Sequence, residues 1–176
     1  MNIFYLDESP NVSAQWLVDK HVVKMILETA QLLCTAHRVL DGKQIDSIKN
    51  GRKYKNYILE DSRDDILYKA THVNHPSSVW ARESVENYLW LVEHFFALGD
   101  EYTHRYDKSH KSIIKLGLTV QNPPHGLRDW DMTKMPCAMP EEYIVSDDPI
   151  TNYREYYSKG KTDLHTWTNR AKPDWI

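Results

Sequence analysis

The chain has 176 residues, 41% of them apolar and 27% charged, which is ordinary for one soluble globular domain. Gly and Pro together make only 14 residues, too few for a disordered or low-complexity chain. With 22 Lys and Arg against 25 Asp and Glu the formal charge is −3, so there is no global basic field, and any nucleic-acid role must rest on a local patch. The aromatics are skewed toward 11 Tyr and 6 Trp against 3 Phe, side chains that pair an apolar body with a polar tip and suit half-wet surfaces as well as a core. Two cysteines, Cys34 and Cys137, cannot build a disulfide framework, and Cys34 in its helical context reads as a small buried hydrophobe. The first residues have neither the basic segment nor the apolar run of a secretory signal, and no stretch approaches the ~20 apolar residues of a membrane span. The reading is a cytoplasmic protein, in the host cytoplasm if its gene is viral, with no membrane partner.

In chain order, Ile3 to Leu6 is a short apolar run closed by the turn cluster Asp7-Glu8-Ser9-Pro10. A helix is predicted from Ser13, as N-cap, to about Leu40, with Gly42 marking its end. At 100° per residue Val22, Val23, Ile26, Ala30 and Leu33 share one side of it, so this helix is central. Residues 41–75 are polar and charge-mixed and read as loops with short helical pieces, without a two-residue hairpin signal between alternating strands. A second long helix is predicted from Asn74-His75-Pro76-Ser77 through Trp80, Leu91 and Phe95 toward Tyr106, bent at Gly99. Residues 107–150 hold five of the eight prolines, which predicts an irregular segment with no long helix. Asn152 to about Arg170 reads as a last short helix rich in Tyr and Trp. The expected fold is mostly α: a single compact domain over 1–176, acting as a monomer, with two long helices, a short C-terminal helix and long irregular loops.

The first helix carries the sharpest polar cluster. His21, Lys24 and Glu28, at i, i+3 and i+7, project from one face within about two turns, and a carboxylate near an amine and an imidazole is equipment for proton transfer. The same spacing also suits a solvated stripe with a Lys24–Glu28 pair contributing a few tenths of a kcal/mol. Asp19 falls near the apolar side with His37 and reads as structural, holding that imidazole or capping a neighbouring segment. His75, at a helix start, with Trp80 and Arg82 behind it, offers N–H groups, a stacking face and a forked donor for phosphate and base, although Trp80 suits the core as well. Glu101 and His104 form an E-x-x-H pair that can serve a metal centre, but a second such pair is missing. At the C-terminus Arg154, Lys159, Lys161, Arg170 and Lys172 stand against three carboxylates, interleaved with Tyr and Trp. That is a modest patch for a phosphate backbone and stacked bases, or an aromatic tail that closes the core.

Asp19-Lys20-His21, with Glu28 seven residues after the His, resembles the first helix of the phage pyrimidine-dimer DNA glycosylases, the endonuclease V family of T-even phages. The order continues with Gly42-Lys43, with the segment from His72 through His75-Pro76 to Trp80 that opens a long helix, and with Tyr156-Tyr157-Ser158-Lys159-Gly160-Lys161 near the end. The resemblance implies a mostly α, metal- and cofactor-free enzyme acting on damaged or modified pyrimidines in double-stranded DNA. It implies glycosylase and abasic-site lyase steps through a Schiff base on the N-terminal α-amine, assisted by Glu28. Asn2 is bulky, so Met1 is expected to stay and supply that amine, with Lys24 as the substitute. Leu27 and Gln31 stand where the family has arginines beside its glutamate. His21 and Arg82 are then expected to orient or contact phosphate, Trp80 to stack, and His75, Arg154, Lys159, Lys161 and Arg170 to complete the DNA surface. Two other classes stay open: a metal-dependent all-α enzyme using Glu28, Glu101 and His104, and a binding module that grips its partner through the aromatic C-terminal region.

Overall fold

The computed structural model describes the backbone of residues 1–176 and every side chain except that of Lys49. Mostly α is the architecture found, with one small two-stranded sheet. Ser9 caps α1 (Pro10–Gln15) by accepting from the Val12 N–H, and Pro10 fits the first turn, where no N–H is needed. Ser13 is therefore not the expected N-cap: it lies inside α1, buried, donating to the Phe4 carbonyl and accepting from the Leu6 N–H. The chain breaks at Trp16 to Val18 because Leu17 and Val18 are drawn wholly into the core and the Val18 N–H is taken by the Tyr157 hydroxyl at 3.1 Å.

α2 (Asp19–Asp41) then runs through the middle of the molecule, as its apolar side requires. Val22, Ile26, Ala30 and Leu33 are fully buried and Cys34 with them, whereas Val23, assigned to the same side by periodicity, is exposed. Each such aliphatic contributes on the order of 1.5–3 kcal/mol of transfer free energy, set against its ordering cost. The second helix is also two helices: α4 (Pro76–Trp80), and α5 (Val85–Tyr106), whose N-cap Ser84 accepts from the Asn87 N–H. α5 continues unbroken through Gly99, and the glycine is there for a different reason than a bend. A Cβ at Gly99 would meet Ile113 of α6 (Lys111–Val120) at 2.8 Å. α6, ten residues long, corrects the reading of 107–150 as an irregular segment over 111–120, where the chain coils because the prolines of that stretch begin only at Pro123. The C-terminal helix is α7 (Pro149–Gly160), shorter than expected and capped by Asp148.

The polar middle holds the element that was missed. β1 (Lys43–Lys49) and β2 (Arg52–Ile58) pair antiparallel, with Lys49 opposite Arg52 across Asn50-Gly51. Asn50 and Gly51 have φ of 51° and 74°, the left-handed pair that a type I′ turn needs and that Asn-Gly supplies. The hairpin is rooted on α2 through Arg38, wholly buried, which donates to the carbonyls of Tyr57, Leu67 and Tyr68 and pairs with Asp64 of α3 (Arg63–Ile66). No helix among the described residues is long and apolar enough to cross a membrane.

Candidate active site

The first six residues are threaded through the fold, and this brings the start of the chain to α2. Ile3 and Leu6 are core residues, and the Phe4 ring stacks on His21 with centroids 4.2 Å apart. Asn2 is clamped from the far end of the sequence: its amide donates to Ala138 O at 2.9 Å, and the Tyr153 hydroxyl lies 2.9 Å from its Oδ1. So held, the chain start sits on Glu28. Oε2 accepts from the Asn2 N–H at 3.0 Å and stands 3.7 Å from the Met1 amine, while Oε1 is 3.1 Å from Lys24 Nζ. The Glu28 side chain is 13% exposed and Lys24 65%, so one partner of the carboxylate is solvated and the others are fixed by the fold.

His75 belongs to the same neighbourhood. Its Nδ1 accepts from the Ser77 N–H at 3.2 Å, which leaves Nε2 to carry the proton of the neutral ring. Burial pushes its pKa down first and the positive charge of the chain start second, while Glu28 pulls it the other way. His72 beside it has a φ of 49°, a left-handed backbone in a residue other than glycine, with its Nδ1 2.8 Å from the Thr71 hydroxyl.

The remaining expected site residues are distributed elsewhere. His21 turns inward rather than sharing an open face with Lys24: it is 7% exposed, its Nδ1 lies 2.6 Å from the Tyr157 hydroxyl, and burial lowers its pKa to about 4. It is a neutral support for Phe4 and has no open face for phosphate. Trp80 is 2% exposed, its indole N–H donates to Thr133 O at 3.0 Å, and it meets Trp90 edge to face, so it is core and presents no stacking face. Arg82 donates back to Ser78 O at 2.7 Å and lines a cavity of about 290 Å³ with Leu40, Glu83 and Arg128. Arg154 donates to Leu6 O, pairs with Asp7 and lies over Trp16 and Trp175. Lys159 is exposed and paired with Glu155, and Lys161 sits over the Tyr156 ring. Arg170 forks onto Glu101.

These contacts settle the character of the C-terminal region. Trp167 donates to Trp16 O and Trp175 packs on Trp16 and Tyr157, so the aromatic tail closes the core. Asp19 is structural, as expected, but its partners are Arg105 and Thr168; His37 bonds the Tyr88 hydroxyl instead. Glu101 lies 2.6 Å from Arg105 Nε and is taken on its other side by Arg170, while His104 bonds Asn169 O. Among the described residues no group of three or more His, Cys, Asp or Glu is placed to hold a metal ion.

What sequence reasoning missed are Asn2 and Tyr153, 151 positions apart, which place the chain start. Nothing local marks them, because the signal is a contact across the whole fold.

A mostly helical body thus brings one carboxylate, Glu28, against the Met1 and Asn2 nitrogens and Lys24. A family model described as pyrimidine dimer DNA glycosylase matches residues 1–114, the stretch that contains Met1, Asn2, Lys24, Glu28 and His75. The chain belongs to that family, and membership carries a DNA glycosylase function with DNA as the polymer acted on. No curated protein and no solved structure matches the chain. The residues that clamp Asn2, Ala138 and Tyr153, lie outside the matched stretch.

Proposed function

We propose that this chain excises damaged or modified pyrimidines from double-stranded DNA and then cleaves at the abasic site, with the N-terminal amine as nucleophile and Glu28 as proton carrier. The observation that carries the reading is the meeting of the Met1 and Asn2 nitrogens on Glu28 Oε2, at 3.7 and 3.0 Å. An α-amine ordinarily titrates near 8, so a useful fraction is neutral at physiological pH, whereas an ordinary lysine near 10.4 is a much poorer nucleophile. The neutral amine attacks the sugar C1′, and the bond from C1′ to the base breaks with its electron pair leaving on the base. Glu28 accepts the proton that the amine loses. Opening of the C1′–O4′ bond, with a proton passed to O4′, gives the protonated imine. Removal of a C2′ proton expels the 3′ phosphate, and water then hydrolyses the imine and restores the amine. Loss of Met1 would make the Asn2 nitrogen the free amine on the same carboxylate oxygen, so either chain start leaves an amine in reach.

The test is a duplex carrying one cyclobutane pyrimidine dimer, followed under single-turnover conditions for base release and strand cleavage. Glu28→Gln keeps the shape and removes the carboxylate, and is expected to slow both steps by about 10²–10⁴-fold with thermal stability little changed. A variant as fast as the wild type overturns the reading.

A further inference from the structure

The charge of this molecule is unevenly spread, and the hairpin is where its unspent cations gather. Residues 43–58 hold Lys43, Lys49, Arg52, Lys53 and Lys55 against Asp46 alone, a local charge of +4 in a chain of −3. Among the described residues no carboxylate forms an ion pair with Lys43, Arg52, Lys53 or Lys55, whereas Arg38, Arg63, Arg105, Arg154 and Arg170 are all paired. The hairpin is firm at its root and free at its tip. Tyr57 is buried and its hydroxyl donates to Gln44 at 3.1 Å, while Arg52 to Lys55 are exposed, as is Ile48 at 72%. Apart from Tyr57 the ribbon has, among the described residues, no buried side chain and no ion pair, so its cations stand in water with their charge available to neutralise phosphates and release counterions.

Resting on the glycosylase reading, we propose that this hairpin is a DNA arm, a basic β-ribbon that lies in the major groove of the same duplex that the Glu28 site engages. The dimensions agree. The major groove, ~12 Å wide, admits a two-stranded ribbon without being opened, whereas the ~6 Å minor groove would have to widen first. From Glu28 to the hairpin root α2 rises about 21 Å, and a seven-residue strand is about 23 Å long, each within one ~34 Å duplex turn. Arg52, Lys53 and Lys55 meet phosphates, and Ile48 at the tip offers an apolar contact to base edges in the groove.

The experiment compares the wild-type chain with R52Q/K53Q/K55Q, whose sites are all exposed, on a 30-base-pair duplex across a salt series. Dimethyl sulfate footprinting of guanine N7 reads groove occupancy. The arm predicts that the variant binds at least tenfold more weakly at 0.1 M salt, that its log–log salt slope is flatter by about two to three, and that wild-type N7 protection is lost. Wild-type binding that the variant reproduces in affinity and slope, as a hairpin kept for a protein partner would give, overturns the arm and leaves the glycosylase reading standing. Wild-type binding without N7 protection overturns the groove placement in the same way. A wild-type chain that neither binds nor cleaves any duplex overturns the arm and the reading beneath it together.

Discussion

Each of the two long helices carries a glutamate set among cations, and the two clusters differ in the kind of cation. Glu101 of α5 is 2% exposed and held by guanidinium groups, Arg105 at 2.6 Å and Arg170 at 2.8 Å, with Arg105 also bound to Asp19 and to Gln15 O. Glu28 of α2 faces ammonium groups and a backbone N–H, partly open to solvent. Guanidinium stays charged and binds in a rigid fork, so the Glu101 cluster is a lock between α5, the start of α2 and the C-terminal tail. An ammonium is a compact point charge on rotatable bonds with no fork to lock a carboxylate in place, so the Glu28 cluster is the looser of the two. Which cation meets a carboxylate, more than whether one does, is what distinguishes the two clusters.

The largest expected effect belongs to neither cluster and sets the pH range in which they can be compared. Burial lowers the pKa of His21, His37 and His94 to about 4 each. The unfolded chain takes up those protons near 6.5 and the folded one refuses them until about 4, so falling pH favours unfolding. Their contribution is full above about pH 6.5 and is lost as pH falls toward 4, on the order of 2 kcal/mol or more per imidazole. Urea midpoints at pH 7, 6 and 5 should fall in that order; a flat series would mean that these rings are not buried neutral.

Breaking the lock comes next. Glu101→Ala leaves buried Arg105 with Asp19 as its one carboxylate and Arg170 unpaired, and should cost about 3 kcal/mol in urea unfolding. Because no residue of the lock bonds Glu28, single-turnover cleavage by the folded fraction should stay within about threefold, and a loss comparable to that of Glu28→Gln would erase the distinction between the clusters. Tyr153→Phe is the finer probe. It removes the hydroxyl that meets Asn2 Oδ1, Pro136 O and the Ala138 N–H, and should cost ~1–2 kcal/mol of stability. If that hydroxyl positions the chain start, cleavage falls about tenfold as well; a loss of stability with full activity makes it structural only.

How much of this the sequence discloses follows from where each signal lies. α5 and the first half of α2 are readable because burial on one side writes a 3.6-residue period into them, and α2 from Leu32 to Arg38 is readable as helix because it is buried all round. The hairpin is not readable that way: Lys43–Lys49 and Arg52–Ile58 have no buried face beyond Tyr57, so no period-2 alternation exists to find, and the usable signal was the Asn50-Gly51 dipeptide alone. The break before α2 has no Gly or Pro because it is made by tertiary contact, Tyr157 on Val18. Ser84, three residues before Asn87, was a readable cap for α5. Glu28 is apparent from its spacing to Lys24, but its meeting with the chain start depends on Phe4, Asn2 and Tyr153, whose contacts span the fold. For the same reason the ties of Trp80, Arg154 and Arg170 to Thr133, Asp7 and Glu101 cannot be read from the sequence.

The most direct measurement is borohydride reduction of the chain mixed with duplex DNA containing an abasic site, followed by peptide mapping of the adduct, for the wild type and for Lys24→Gln. A nucleophilic chain start beside Glu28 yields a trapped complex whose modified peptide begins at Met1, or at Asn2 if the methionine is lost, and Lys24→Gln traps equally well. An adduct on the Lys24 peptide, or no adduct at all, would contradict it.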